Sequence, residues 1–345
     1  MHAEAVVETA ELVFSAREGQ AGLSERPFTQ PAIEDHGRGA ATALVRTGCR
    51  TYHTDDVRTQ RDTRQQLVHR PEDYPATVGS RLCAVGTATV PACDEGLLRG
   101  DGAFEFVRVY VGRPFTLAEH LDRLERTCAT VRLICPREEL ERDIEAIVAA
   151  LGRESYDLRL VLTRGGQRIV LAEPIPPLLV RLRLALVVDT PRRVLRGAKT
   201  LSYAGNMLAR RLAVERGFDE ALLVTPHGRV LEVQNAAFFY VARDGALCTP
   251  PLTHDILDSI TRRVLLKRLE VEERRCTRAE VLECREAFAA GTGREVQPVG
   301  AIETHTFDEV PGPLTRAAQD AFWDEVKATT GAERRESRTP RRRSS

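Results

Sequence analysis

The segment from Phe104 to Val111, FEFVRVYV, is the feature that most constrains the fold. Its apolar and polar side chains alternate with a period of two, which predicts a β-strand. Leu117, Leu121 and Leu124 follow on one face of a predicted helix. Pro136 then opens a second helix, REELERDIEAIVAAL, whose first turns carry the acidic residues that a helix dipole favours. A strand followed by two helices indicates a mixed fold of helices and strands.

The rest of the chain adds more strands than helices. Two further strands are predicted at Leu158–Arg164 and Val180–Val188, and a helix at Ser202–Arg216. Short strands then alternate with the turn signals His227-Gly228 and Asp244-Gly245. The chain has no G-x-G-x-x-G or Walker A motif, which disfavours dinucleotide and nucleoside-triphosphate chemistry. The sequence therefore predicts an α+β protein with a small N-terminal αβ domain and a larger, strand-rich C-terminal domain.

Composition and pattern together predict where these domains begin and end. Residues 1–78 lack sustained periodicity and are expected to form a poorly ordered extension. The small αβ domain is expected over 79–189, followed by a connector over 190–198 and the larger domain over 199–330. Residues 331–345 are rich in arginine and are expected to form a disordered basic tail.

The charge of the chain excludes several partners. Fifty acidic residues balance fifty basic ones, so net charge favours neither nucleic acid nor an anionic membrane as a partner. No apolar run reaches the roughly 18 residues of a membrane helix, and the first residues lack the apolar region of a secretory signal. The cysteines form no C-x-x-C pair, so no metal site is predicted. We therefore expect a cytoplasmic enzyme or binding protein.

Lysine is unusually rare in this chain. Only Lys199, Lys267 and Lys327 occur, and all other basic residues are arginine. A desolvated lysine can lose its proton and form a Schiff base, whereas arginine can do neither near neutral pH. One of the three is thus a candidate for chemistry that arginine cannot perform, and its neighbours must decide which.

The sequence offers a candidate for each group that a pyridoxal-phosphate enzyme requires. Lys199 precedes the helix of the second domain, and Glu232 ends a strand from which its carboxylate could partner the ring nitrogen. Ser259 is a predicted helix N-cap, so the helix that follows would aim free backbone amides at a phosphate. Arg123 and Thr292 could add a guanidinium and a hydroxyl. Spacing alone leaves open whether these residues converge.

At these residues the chain resembles the class IV, or fold-type IV, pyridoxal-phosphate aminotransferases. That family includes branched-chain aminotransferase, D-amino-acid transaminase and aminodeoxychorismate lyase. The resemblance runs from about Thr87 to Thr330 in ordered blocks. The blocks are DEGLLRGDGAFEFVRVY, PFTLAEHLDRL, LRLVLTRG, AKTLSYAGNMLA, DEALLVTPHGRVLE, DGALCTPPL, ILDSITRR and GTGREVQPVGAI. It implies the two-domain fold of that family, with pyridoxal 5'-phosphate held between the domains of a homodimer.

The resemblance also implies a role for individual residues. Lys199 matches the Schiff-base lysine, which also moves a proton at the substrate, and Glu232 matches the glutamate at the pyridine nitrogen. The remaining cofactor residues that it implies are Arg123, Tyr203, Ile260, Thr261 and Thr292. The residues implied at the substrate pocket are Phe104, Arg108 and Gly293.

Three positions depart from the family pattern. The family usually has glycine directly after the glutamate and asparagine further on, whereas this chain has Val233 and Ala237. A β-branched residue resists positive φ, so Val233 predicts a reshaped loop beside the cofactor ring. Ser259 replaces a glycine but keeps its backbone N–H and can cap the helix.

Three functions are compatible with these residues. The favoured one is an aminotransferase that passes an amino group between a branched-chain-like amino acid and a 2-oxo acid through Lys199. The alternative is a lyase of the aminodeoxychorismate type, which uses the same lysine to release pyruvate. A third hypothesis is a non-catalytic relative that keeps the fold as a binding protein.

Overall fold

A computed structural model of the protein describes residues 70–190 and 193–334, all of which belong to one compact unit, Gln65–Ser345. Two β-sheets dominate this unit, and helices pack on both. The predicted α+β class is confirmed. The predicted extension up to residue 69 and the tail from 335 onward lie outside the described residues.

The first sheet is antiparallel and has six strands in the order β2-β1-β6-β5-β3-β4. Its strands are β1 Pro75–Val78, β2 Arg81–Ala84, β3 Gly102–Tyr110, β4 Arg113–Pro114, β5 Tyr156–Thr163 and β6 Arg168–Glu173. Its helices are α1 Glu95–Arg99, α2 Leu117–Val131 and α3 Arg137–Leu151. The leucines of α2 pack with Val107 and Val109 of β3 in one apolar core. The period-two and helical patterns of the sequence thus bury matching faces.

The second sheet has nine strands, ordered β12-β11-β10-β13-β14-β7-β8-β9, with β15 beside β14. Its strands are β7 Leu182–Val188, β8 Glu220–Val224, β9 Val230–Val233, β10 Ala237–Val241, β11 Leu247–Thr249, β12 Glu272–Glu273, β13 Glu286–Gly291, β14 Glu295–Ile302 and β15 His305–Thr306. Its helices are α4 Ala204–Glu215, α5 Ile260–Arg268, α6 Arg278–Val281 and α7 Pro313–Thr330. Its strands β7 and β8 pair in parallel, and the hairpin from β8 to β9 brings Glu232 back beside them.

An aromatic cluster joins α7 to the first sheet. Tyr110 of β3 makes an edge contact with Trp323, and Phe115 makes one with Phe322. These rings share a buried core with β10, β13 and α5. Because such edge contacts add to the burial of large apolar rings, the two sheets form one packed structure here.

Three predicted boundaries differ from the structure. The strand assigned to the end of the first domain, Val180–Val188, is observed as β7, which pairs with β14 and β8 of the second sheet. Its nearly unbroken apolar sequence suits a strand buried between parallel neighbours. Pro75–Val78 pairs with two strands as β1, so it is not part of a loose extension. Ala332 is buried in the apolar core, so this residue is not part of a disordered tail.

The described residues, 70–190 and 193–334, lack two features. Over these ranges, no helix is long and apolar enough to cross a membrane. The same ranges contain no group of three or more histidine, cysteine, aspartate or glutamate side chains that could bind a metal ion.

Candidate active site

Lys199 is fixed by the backbone of the first sheet. Its carbonyl oxygen accepts a hydrogen bond from Phe104 N at 3.0 Å, and its N–H donates to Thr127 Oγ1 at 3.1 Å. Thr200 forms a bridge with Ala103, which extends the pairing along β3. The segment that carries the lysine therefore pairs briefly with β3, and this pairing restricts the direction of the Lys199 side chain.

The Lys199 side chain lies against two aromatic rings. Its Nζ lies 4.3 Å from the centroid of the Phe104 ring and 5.8 Å from that of Tyr203. Burial lowers the pKa of Lys199 to about 8, and the nearby Arg123 adds to this effect, against the opposing charges of Glu105 and Glu232. A lysine with such a pKa is partly deprotonated near neutral pH and can act as a nucleophile or a base.

Most of the predicted cofactor residues line a single cavity of about 310 Å³. The predicted residues that line it are Arg123, Lys199, Tyr203, Glu232 and Thr292. Ser259 lines it as well, and it directly precedes the other two predicted residues, Ile260 and Thr261. The structure therefore brings the predicted cofactor residues to one place, at or next to a cavity large enough for a small ligand.

Glu232 is an acidic residue in the lining of this cavity. It lies on β9, and both of its carboxylate oxygens are 3.3 Å from the N–H of Leu257, which donates to them. Burial raises the pKa of Glu232 to about 7, although that hydrogen bond and the charge of Lys199 oppose the change. A carboxyl group in this state becomes a carboxylate most readily when a cationic partner is beside it.

Val233 avoids positive φ, as its β-branched side chain predicted. Positive φ occurs at seven non-glycine residues among those described, and Val233 is not one of them. Val233 is fully buried at the end of β9 and pairs with Leu222 of β8. The valine therefore continues the strand, and Glu232 faces the cavity beside it.

Arg123 is held by a buried ionic cluster on the other side of the cavity. Its Nε and Nη2 donate to the two oxygens of Glu105 at 2.7 and 2.8 Å, and its Nη1 donates to the carbonyl of Asp258 at 3.0 Å. His120 Nδ1 lies 2.9 Å from Glu105. Although burial raises it, these partners hold the pKa of Glu105 well below its usual range. The Arg123 guanidinium is thus paired and rigid.

The start of α5 forms the third wall. Ser259 caps the helix, because its hydroxyl accepts a hydrogen bond from Arg262 N at 3.3 Å. The amides of Ile260 and Thr261 belong to the first turn, where backbone N–H groups have no partner within the helix. The bond from Arg123 to Asp258 places a guanidinium next to this turn. A helix N-terminus beside an arginine suits an anion such as a phosphate.

Tyr203 closes the cavity between Lys199 and β9. Its hydroxyl donates to the carbonyl oxygen of Gln234 at 3.0 Å, and its ring makes an edge contact with Phe104 at 5.5 Å between centroids. Burial raises the pKa of Tyr203 to about 12, and the charge of Glu232 adds to this. Tyr203 therefore stays protonated and acts as a fixed hydrogen-bond donor.

The three residues predicted for the substrate pocket are placed differently from one another. Phe104 contacts the lysine, as described above. Arg108 is only 2% exposed and is occupied by Asp157 and Glu295. Gly293 offers its carbonyl oxygen to Arg108 at 3.3 Å. Arg108 and Gly293 therefore contact each other outside the cavity lining.

The sequence analysis missed several residues of the site. Arg159 of β5 lies over the rings of Phe104 and Phe106, at 5.9 and 5.0 Å from their centroids. It is partly exposed and forms an ion pair with Glu173. Glu105, which binds Arg123, was also missed. Its position one residue after Phe104 on an alternating strand was a usable signal, because it places a charged side chain on the face that α2 covers.

Comparison with known proteins supports one family. The model of the amino-transferase class IV family matches residues 102–302, more than half of the chain. The chain is 34% identical, over 69% of its length and 91% of the relative, to a Methanocaldococcus jannaschii protein with the provisional name branched-chain-amino-acid aminotransferase. It is 30% identical to the D-alanine aminotransferase of Listeria monocytogenes, over 74% of this chain and 96% of that enzyme.

A solved structure agrees with the sequence relatives. The branched-chain amino acid aminotransferase of Thermobaculum terrenum, in its form with bound pyridoxal 5'-phosphate, aligns with a TM-score of 0.68 and 25% identity. The alignment covers 76% of this chain and 96% of that one. The protein described here therefore belongs to the class IV aminotransferase family, whose enzymes use pyridoxal 5'-phosphate.

Proposed function

We propose that this aminotransferase moves an amino group between a branched-chain-like amino acid and a 2-oxo acid, with Lys199 as its central catalytic residue. The observation that carries the proposal is that Lys199 and Glu232 line the same cavity. The lysine has a lowered pKa, and a carboxyl group with a raised pKa lines the same walls. Two groups with pKa values shifted toward neutrality in a shared cleft are typical of an active site.

The cavity fits pyridoxal 5'-phosphate in its distribution of charge. Arg123, Thr292 and the amides of Ile260 and Thr261 would hold the phosphate at the cationic end. Glu232 would hold the pyridine nitrogen, whose proton supplies the cation that this carboxyl group lacks. When bound, the cofactor supplies an electron sink for negative charge that develops at the substrate Cα.

Lys199 would then perform the proton transfer. With a pKa of about 8, its Nζ can take the proton from the Cα of the amino acid in one half-reaction and donate a proton to the Cα derived from the 2-oxo acid in the other. Tyr203 and Phe104 limit the movement of the side chain, since both rings lie within 6 Å of Nζ. The backbone bonds to Phe104 and Thr127 keep the base in the same place for both halves of the reaction.

We propose that Arg159 binds a substrate carboxylate. Unlike Arg108, its guanidinium is partly exposed and lies over two aromatic rings, so it can exchange its partner Glu173 for a ligand. Phe104 and Phe106 would provide an apolar surface for a branched side chain next to it. This arrangement suits an amino acid with an apolar side chain and a dicarboxylic 2-oxo acid in turn.

We also propose that the protein works in the cytoplasm as a homodimer. Support comes from α4, which exposes Met207, Leu208 and Leu212 to between 39% and 52%. Several large apolar side chains on one exposed helix are typical of a surface that a partner covers. Sedimentation of the purified protein would test this, and a monomer at micromolar concentration would contradict it.

The experiment that tests the function has two steps. Borohydride reduction of the purified, cofactor-loaded protein followed by peptide mapping should place a pyridoxyl group on Lys199, and a label on Lys267 or Lys327 would contradict the assignment. Turnover of L-leucine with 2-oxoglutarate should exceed pyruvate release from aminodeoxychorismate, which the lyase alternative requires. D-leucine is the matched donor of opposite configuration, and D-alanine is a further donor to compare, because one of the relatives above is a D-alanine aminotransferase.

A further inference from the structure

Arg108 is an arginine whose charge is fully occupied inside the protein. It lies on β3 directly opposite Asp157 of β5. Its Nε donates to Asp157 Oδ1 at 2.5 Å and its Nη2 to Oδ2 at 3.3 Å. Asp157 is fully buried and Arg108 nearly so. A two-point bond between a guanidinium and a carboxylate fixes the orientation of the arginine as well as its position.

The other edge of the same guanidinium contacts the second sheet. Arg108 Nη2 donates to the carbonyl oxygen of Gly293 at 3.3 Å, and Nη1 donates to Glu295 Oε1 at 3.3 Å. Tyr110 also donates to Glu295 Oε1, at 3.0 Å. Side chains of β3 thus bind the chain between β13 and β14 at two residues, Gly293 and Glu295.

This turn is one that needs external support. Arg294 N donates to the carbonyl oxygen of Gly291 at 3.0 Å, and Glu295 has a φ of 57°, in the left-handed region. A residue with a side chain rarely adopts that conformation unless its surroundings determine it. The ion pair and the tyrosine hydrogen bond at Glu295 provide such surroundings.

The turn also carries part of the cavity wall. Gly291 and Thr292 line the cavity, while Gly293 and Glu295 accept hydrogen bonds from Arg108 of β3. We propose that Arg108, oriented by Asp157, is a positioning residue that holds this turn so that Thr292 meets the cofactor phosphate. The role of the turn at the cofactor phosphate rests on the function proposed above. The hydrogen bonds from Arg108 to the turn do not depend on that function.

Direct binding of a substrate carboxylate by Arg108 is the competing role. Asp157 and Glu295 already place two carboxylates on this guanidinium, and almost none of it is exposed. A substrate would have to displace a buried partner and leave its charge uncompensated, which is strongly unfavourable. Arg108 therefore acts on the cofactor site through the turn.

The first test measures the turn without cofactor. Hydrogen exchange of the apo protein should be at least tenfold faster at the 292–295 amides in Arg108→Gln than in the unmodified protein. Arg168→Gln is the control, because Arg168 of β6 forms an ion pair with buried Asp143 of α3 and does not contact the turn. Unchanged exchange at 292–295 in Arg108→Gln, or an equal increase in the control, would overturn the proposal.

The second test measures the affinity for pyridoxal 5'-phosphate by titration of apo protein. Arg108→Gln should weaken binding by about tenfold, and Arg168→Gln by less than twofold. In a Thr292→Ala background, Arg108→Gln should weaken binding by no more than about threefold, because the shared contact is already lost. Fully additive effects, or unchanged affinity together with a loosened turn, would overturn the link between Arg108 and the phosphate.

A folding failure of the variant and a failure of the proposed function can each be told apart from a failure of this inference. If Arg108→Gln does not fold, Asp157→Asn replaces it, since this change preserves size while it weakens the two-point bond, and the same results are expected at half the magnitude or more. If the unmodified protein does not bind pyridoxal 5'-phosphate at Lys199, the proposed function fails. The hydrogen-exchange result still decides whether Arg108 holds the turn.

Discussion

Two glutamates lie at opposite ends of the site: Glu232 lines the cavity, and Glu105 lies behind Arg123, which lines it. Their electrostatic states are opposite. Glu105 accepts two hydrogen bonds from Arg123 and lies 2.9 Å from His120, and its pKa is held well below its usual range. Glu232 has a single backbone N–H as its hydrogen-bond donor, and its pKa is raised to about 7. Burial acts in the same direction on both side chains, so the difference comes from their partners.

This difference distinguishes a supporting carboxylate from one that awaits a ligand. Glu105 completes its interactions within the protein and thereby fixes Arg123. Glu232 is left with an unfavourable ionised state that a cationic ligand group would relieve. Substitutions at the two ends should therefore affect different quantities, which the following predictions use.

The largest effect is expected at Lys199, which lies between the two ends. Lys199→Ala removes the only amine that lines the cavity within the described residues. We expect the rate of the half-reaction to fall by about 10⁴-fold, because general base catalysis alone contributes up to about that factor. Stopped-flow measurement with one amino acid would check this, with Lys327→Ala as the control. A loss below about tenfold would contradict the central role of Lys199.

The next largest effect is expected at Glu105, which supports Arg123. Glu105→Gln leaves the buried Arg123 guanidinium without a charged partner, which typically costs about 3–5 kcal/mol. Urea unfolding should show this loss, and the affinity for the cofactor should fall as well. Glu141→Gln breaks an exposed ion pair with Arg137 and should cost under about 1 kcal/mol. Equal stability losses in the two variants would show that the buried cluster is not a support.

A smaller effect, and one on rate alone, is expected for Glu232→Gln. The variant keeps shape and hydrogen-bonding capacity, so the cofactor should bind with nearly unchanged affinity. The half-reaction should slow by about two orders of magnitude, equivalent to roughly 2.7 kcal/mol of transition-state stabilisation. An unchanged rate would mean that Glu232 does not partner the ring nitrogen.

The smallest effect is a pH dependence of apo-protein stability. The folded-state pKa of Glu232 is raised from 4.5 to about 7, so the folded protein binds more protons than the unfolded chain between these values. Its contribution to stability is therefore complete below about pH 4.5 and is lost as pH rises to about 7. After allowance for water in the cavity, we expect roughly 1–2 kcal/mol. Subtracting the profile of Glu232→Gln from that of the unmodified protein should isolate this slope, and identical profiles would contradict it.

Much of the fold and site could be predicted from local patterns. The period of FEFVRVYV predicted β3, and the Ser259 cap predicted the start of α5. Lys199 stood out because lysine is rare, and Glu232 because it ends a strand after a turn. These signals are contained within a few residues each, so they are readable without knowledge of the pairing.

What could not be predicted depends on strand partners. The strand at Leu182–Val188 was recognised, but its apolar sequence indicates only that it is buried and does not say which sheet buries it. Arg108 was expected at the substrate pocket because of the family resemblance, and nothing in the sequence indicates that Asp157 lies opposite it. The Glu105 cluster needed the packing of α2 on β3. Each miss concerns a contact between residues that are distant in the chain.

The shifted pKa of Lys199 makes this protein a convenient target for selective labelling. An amine reagent used near pH 8 reacts with the neutral form, which at Lys199 is abundant. Lys327 is paired with Glu333, which raises its pKa and suppresses the neutral form. Because the chain has just one further lysine, a fluorophore or affinity tag directed to the cavity wall would compete mainly with the α-amino terminus, whose pKa is usually about 7.7–8.0. The scarcity of lysine thus leaves few amines that compete with a native cavity residue for such a reagent.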